Sequence, residues 1–296
     1  MAEKVLKVDV PRIPFSRFQK KLGGHVGLLV GIVVISVMVL MALFAPWIAP
    51  DDPYRQDLDA RLIPPIWHAT GTWDHPLGTD PLGRDYLTRV IYGSQIALIT
   101  AGLVVAIAGT IGSLMGIAAG YFGGKVDMVV SFMISVRLSM PVVLVALAVV
   151  AIVGGSLTVI IWVLGLLLWD RFAVVMRSAT MQIRSLEYVT SARAAGCSTP
   201  RILFSEILPN LTGPLVVVTT LEMAHAILLE AALSFLGLGV QPPLPSWGLM
   251  IAEGRGYLFF DPWVVTVPGV ALFVLVFGIN LLGDGVRDIT ALENRN

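Results

Sequence analysis

The sequence predicts an all-α membrane protein with six transmembrane helices. Of its 296 residues, 56% are hydrophobic and only 14% charged, too little charge to cover a soluble domain of this size. The mean hydropathy is +0.83. The apolar residues gather in long runs, and a run of about 20 is what a helix needs to cross roughly 30 Å of hydrocarbon. The alternation of apolar and polar residues that a membrane β-barrel requires is missing from these runs.

In chain order the runs are Val26–Pro46, Leu98–Ala119, Val130–Val153, Leu157–Val175, Gly213–Phe235 and Val264–Gly283. The first is full length and follows a polar stretch, so we read it as an uncleaved anchor and not a secretory signal. Gly109, Gly112, Gly116, Pro141 and Gly269 lie inside runs. They count less against helix here, because glycine also lets helices approach closely in lipid. Arg137 falls inside the third run and is expected near its cytoplasmic end, with its side chain snorkelling outward. Asp170 and Arg171 are expected near the inner boundary of the fourth.

Lys and Arg set the orientation. The N-terminal tail carries Lys4, Lys7, Arg12, Arg17, Lys20 and Lys21, and the segment Met176–Thr212 carries Arg177, Arg184, Arg193 and Arg201. The segment Trp47–Gln95 is acidic instead, with Asp51, Asp52, Asp57, Asp59, Asp74, Asp80 and Asp85 against four arginines. Positive-inside bias then puts both termini in the cytoplasm. The chain divides into a basic leader (1–25), a first helix (26–46), an extracytoplasmic segment (47–97), a five-helix core (98–284) and a cytoplasmic tail (285–296). Within the core lies a cytoplasmic loop, 176–212.

A formal net charge of zero leaves no basic excess for nucleic acid. The single cysteine, Cys197, excludes an internal disulfide. Gly123–Lys125 lacks the upstream glycine and the following Ser or Thr of a phosphate-binding loop, and the four histidines are scattered, so neither a nucleotide nor a metal site is predicted.

The cytoplasmic loop is long enough to carry a function. Glu187–Ser198 is helix-compatible, with Gly196 where a helix C-terminal glycine would stand. A second helical stretch, Arg201–Leu208, is expected to end at Pro209. From the pattern alone this is either a compact knob or an amphipathic hairpin lying on lipid headgroups.

The stretch YVTSARAAGCSTPRILFSEILPN, Tyr188–Asn210, resembles the EAA loop of bacterial ABC import permeases. Ala192, Gly196, Leu208 and Pro209 fall on that pattern; Thr190, Ser191 and Glu206 depart from it. Three further segments resemble the dipeptide, oligopeptide and nickel branch: HPLGTDPLGRDYLTR (His75–Arg89), ILLEAALSFLGLG with QPPLPSWG (Ile227–Gly248), and NLLGDGVRD (Asn280–Asp288). Phe132, Ser135 and Arg137 depart from that branch, leaving any substrate role at the start of the third helix open. The resemblance implies a type I ABC importer permease in a bacterial inner membrane. It would pair with a second homologous permease, two ATPase subunits and an extracytoplasmic binding protein. ATP and Mg would bind to the partner subunits and no cofactor to this chain. It further implies an ATPase-coupling loop that includes Tyr188, Ala192, Arg193, Gly196, Leu208 and Pro209.

Ionisable groups in lipid are functional candidates by default. Glu222 and His225 are three residues apart on the fifth run, so they share a face. They either pair structurally or line the substrate path, where a carboxylate would meet a peptide's ammonium end or a cation. Glu230, inside the matched motif, is read first as a packing or gating residue. Arg84, Asp85, Pro245, Ser246 and Trp247 are candidates for an extracytoplasmic rim, with Arg84 paired to an aspartate and Trp247 also readable as an interfacial anchor. Two rival functions remain at this point: an ion-coupled transporter using Glu222 and His225, and an intramembrane hydrolase. The cargo is open between peptides, nickel, glutathione and other small solutes.

Overall fold

The computed structural model describes residues 26–293, so the basic leader and the last three residues lie outside the described residues. The described chain is helical, with a single isolated bridge between Thr79 and Asp85. Five helical runs are long and apolar enough to cross a membrane, and a sixth crossing is a bent pair.

Helix α1 (Val26–Leu43) packs chiefly on α10 (Trp263–Glu293), the last helix. Contact is close because both present glycine: a methyl at Gly31 would strike the backbone of Gly278 and Leu282, and one at Gly278 would strike Val34. Much of the remaining surface of α1 is exposed.

Helix α2 (Tyr86–Phe122) begins well before the predicted Leu98. Polar residues hide its first turns from a hydropathy reading, but Asp85 is a proper N-cap, its carboxylate accepting from the Thr88 amide at 2.7 Å. At 1.5 Å per residue its 37 residues span about 55 Å. It stops at Gly123, whose φ of +64° suits glycine.

The third crossing is not one helix. Helices α3 (Gly124–Leu138) and α4 (Val142–Val153) meet at 79°, broken at Pro141. Proline has no amide hydrogen and disfavours helix at the residue before it, and here that preference wins. Arg137 sits at the break and does not snorkel. It is 9% exposed; its Nε donates to the Leu167 carbonyl at 2.6 Å and its Nη1 to that of Met140 at 3.3 Å. Both carbonyls lie near helix ends, where intrahelical donors run out.

Helix α5 (Leu157–Leu167) continues, after a kink at Leu168, as α6 (Trp169–Ile183). The α6 helix lies along α2 with almost no gap. Gly112, Gly116 and Gly120 of α2 face Trp169, Ala173 and Arg177 of α6, and an added methyl at any of the three would strike backbone. The fourth crossing therefore runs to Ile183, not Val175, and Asp170 and Arg171 lie well within it. Asp170 is buried in the first turn of α6, where backbone amides favour a carboxylate.

Helix α7 (Glu187–Ala194) is short. From Thr199 the chain is helical again and does not stop at Pro209. The run widens to π geometry over Ile202–Ile207, the Leu208 amide reaching back to Leu203, then tightens to 3₁₀ over Leu208–Leu211 before entering α8 (Thr212–Phe235). These adjustments let a helix pass a residue that cannot donate. Between Ile183 and Thr199, inside the segment 176–212 that the sequence reading takes as a loop, the chain leaves the long helices and carries only α7. A turn and α9 (Trp247–Gly254) connect α8 to α10, and α10 continues through the predicted tail to Glu293.

Candidate functional site

Three clusters gather the residues singled out by the sequence. The first is the knob at one end of the bundle. Helix α7 is anchored by Val189, fully buried in the same apolar core as Ile202, Ile207 and Leu211. Its other faces are open: Tyr188 is 41% exposed, and Arg193 is exposed with it. The helix closes in a Schellman motif, the Cys197 amide donating to Ala192 at 3.1 Å and the Gly196 amide to Arg193 at 3.0 Å. Gly196 has φ of +79° and open space where a side chain would go. Asn210 Nδ2 donates to the Tyr188 hydroxyl at 3.1 Å. Burial, with the Glu206 carboxylate adding to it, raises the Tyr188 phenol above its ordinary pKa. The Arg193 guanidinium lies 5.5 Å from the Tyr121 ring centre, and Arg184 donates to the Tyr121 carbonyl at 3.0 Å. The knob is thereby fastened to the end of α2. Leu208 and Pro209 are exposed beside it.

The second cluster is a cleft of about 540 Å³ between α6, α8 and the far part of α10, reaching Leu138 at the α3–α4 break. Its walls are mostly valine and leucine. Glu222 lies at its back, 1% exposed, accepting from Arg171 Nη1 at 3.1 Å. His225 Nδ1 stands 3.4 Å from the other carboxylate oxygen, a long contact. The structure thus brings Glu222 and His225 together and adds Arg171, which sequence reading gave no role. Residues 171 and 222 belong to different crossings, and no single-sequence spacing links them. Arg287 completes the charged lining. Glu230 does not belong here: its Oε1 accepts from Ser234 at 2.8 Å and Ser246 at 2.7 Å, tying α8 to the turn that follows it.

The third cluster corrects the rim reading. Arg84, Asp85, Pro245, Ser246 and Trp247 are all buried and present no surface to a partner. Arg84 pairs with Asp80 and, at 3.0 Å, with Glu253 of α9; Arg89, fully buried, lies 3.4 Å from the same Glu253 carboxylate oxygen. Asp85 also meets His75 Nδ1 at 3.0 Å. Trp247 is no interfacial anchor: it is 2% exposed and donates to the Val90 carbonyl at 3.0 Å. Gly93 leaves the room it needs. This is an internal joint between the segment before α2, α2 itself and α9. Among the described residues no cluster of metal-ligating side chains is present.

Residues 112–291 match the family model of the binding-protein-dependent transport system inner membrane component. The chain belongs to that family of permeases. Residues 14–65 match a second family, the N-terminal TM domain of oligopeptide transport permease C. Among curated relatives, the dipeptide transport system permease protein of Haemophilus influenzae is 37% identical over 278 residues, 94% of each chain. The di/tripeptide permease of Pseudomonas aeruginosa is 40% identical, over 93% of this chain and 91% of its own. The Escherichia coli dipeptide permease is 39% identical, over 96% and 95%. A solved structure of the MetNI methionine ABC transporter superposes with a TM-score of 0.57 at 20% identity, covering 69% of this chain and 96% of that one. The fold is thus that of a type I importer permease, and the chain is a multi-pass inner-membrane component of an ABC import system. An ion-coupled transporter built on Glu222 and His225 does not fit this permease.

Proposed function

We propose that this permease forms, with a second homologous permease, the membrane path of an importer of short peptides. An extracytoplasmic binding protein delivers the cargo, and two separate ATPase subunits, carrying ATP and Mg, drive the cycle. This chain then hydrolyses nothing and binds no cofactor. The observation that carries the reading is the knob. A short exposed helix, closed by a left-handed glycine turn and rooted in the apolar core, is a surface built to receive a push and pass it inward. ATP-driven closure of the motors would move α7, and the run Thr199–Phe235 together with α2 would carry that motion to the cleft, reopening the path on the opposite side of the membrane. Peptide cargo is favoured by the names of the relatives matched over nearly the whole chain. The positive-inside bias favours cytoplasmic termini, with the knob on the same side.

The test is affinity purification of the tagged permease in mild detergent, followed by identification of the co-purifying chains and of the ligand retained by the binding protein. A second permease, ATPase subunits and a peptide-loaded binding protein are expected. A complex without an ATPase, or a binding protein loaded with a metal or a non-peptide solute, would contradict the reading.

A further inference from the structure

Glu222 is the charge that sequence reading would offer to a peptide's ammonium group, yet it is enclosed and already paired with Arg171. What the cleft presents is positive. The Arg171 side chain is 55% exposed, and among the described residues its Nη1 donates back to Glu222. Across the cleft Arg287 is exposed, with no ion pair or hydrogen bond among the described residues. Two guanidinium groups against one carboxylate leave the lining one positive charge in excess, between walls such as Val174, Val217 and Leu221.

We propose that this cleft holds the carboxylate end of the cargo, with Arg171 and Arg287 as its anion-binding pair and Glu222 as the residue that positions Arg171. The proposal rests on the peptide-import reading and deepens it. Short peptides differ in their side chains but share a terminal carboxylate, so a path for many peptides gains one common handle there. Guanidinium groups meet carboxylates through paired, charge-assisted hydrogen bonds. Apolar walls without directional groups tolerate varied side chains. The volume falls within the usual range for small-ligand sites. Glu222 behind Arg171 keeps that guanidinium from folding away, and the exposure of both arginines keeps the hold weak enough for release. A lipid phosphate shares the chemistry of the ligand, but an acyl chain needs an unbroken apolar groove, whereas the lining of this one is interrupted by the Glu222 carboxylate paired with Arg171.

The experiment uses the assembled transporter in nanodiscs of neutral lipid, in a Cys197→Ser background with one reporter cysteine, Leu221→Cys or, should that variant fail to assemble, Val217→Cys. Labelling rates with an anionic and a cationic methanethiosulfonate are each normalised to free cysteine. The anionic reagent is expected to react about tenfold faster, the equivalent of roughly 1.4 kcal/mol. Adding Arg287→Gln should bring the ratio close to one. A short peptide with a free C-terminus should slow labelling, and its C-terminal amide at the same concentration should not. Equal rates for the two reagents, a ratio indifferent to Arg287→Gln, or equal protection by acid and amide would each overturn the proposal. So would protection by anionic lipid without peptide, or a cleft that labels in the lone chain but not in the complex. Anion preference without protection by the free acid would reject the cargo carboxylate as the occupant; the peptide-import reading itself stands or falls separately, on the ligand retained by the binding protein.

Discussion

Gly196 shows how much one backbone angle can decide. At φ of +79° an L side chain is strained by about 1–2 kcal/mol even where, as here, nothing occupies the space beside it. Gly196→Val should leave the permease inserted and the bundle packed, while loosening α7 enough to weaken ATPase docking and uptake severalfold. Gly196→Asn, which tolerates this conformation, should recover most of the loss. Co-purification of the motor subunits and uptake in proteoliposomes measure both; normal uptake by the valine variant would remove the turn from coupling. Glu222 invites the complementary change. Glu222→Gln keeps shape and an acceptor but gives up a charge-assisted hydrogen bond to Arg171, an interaction of about 1.5–3 kcal/mol where well formed. Because Arg171 is half in the open and can be solvated, assembly should survive. Uptake per assembled complex is expected to fall by about tenfold. If uptake falls only in proportion to the amount of complex, the pair is a packing contact.

At the scale of elements, the seam between α2 and α6 is the most demanding contact in the bundle. Three glycines bring the two backbones together, so Gly112→Val forces them apart. Overpacking of this kind costs about 1–3 kcal/mol, and here it acts on the helix that also carries Arg171. Lower detergent stability is expected, with a reduction in midpoint temperature visible in a scattering or fluorescence melt. An unchanged melt would mean that the seam opens freely. Two of those glycines, Gly112 and Gly116, were legible in the sequence as residues that permit close packing, and Gly196 as a helix-ending glycine, because both are local signals; Gly120 was not singled out. The start of α2, the break at Pro141 and the passage through Pro209 were misread, each for a physical reason. Asp85 and Arg89 depress hydropathy where the helix is nevertheless capped and buried. Pro141 breaks a helix that lipid alone would have tolerated. Pro209 does not break one, because the π turn before it and the 3₁₀ turn that contains it absorb the missing amide.

Across the whole molecule, topology is testable without knowing the cargo. Asp59, Gln241 and Ser185 are exposed, the first two at the end of the bundle where α2 begins and the last at the knob. In a Cys197→Ser background, cysteines at Asp59 and Gln241 should react with an impermeant thiol reagent in intact cells, and one at Ser185 only after the membrane is opened. Labelling at Ser185 in intact cells would invert the orientation and remove the knob from the reach of cytoplasmic ATPases. Membrane spans and their order are legible because hydrocarbon thickness writes them into the chain. The cleft was half legible: Glu222 and His225 share one helix face, but Arg171 and Arg287 reach them only through tertiary packing. The supposed rim was misplaced for the same cause, since nothing local reveals that Trp247 inserts against Val90 and Gly93.

The pairing of α1 with α10 sets a timetable. Gly278 follows its counterpart, Gly31, out of the ribosome roughly 10–50 s later at ordinary synthesis rates. Through that interval the first helix sits in the bilayer without its main neighbour, its glycine face open to any passing helix. A chain cut short before Trp263 would never close that face, which makes the first helix a natural mark by which a quality-control protease could tell unfinished copies from finished ones.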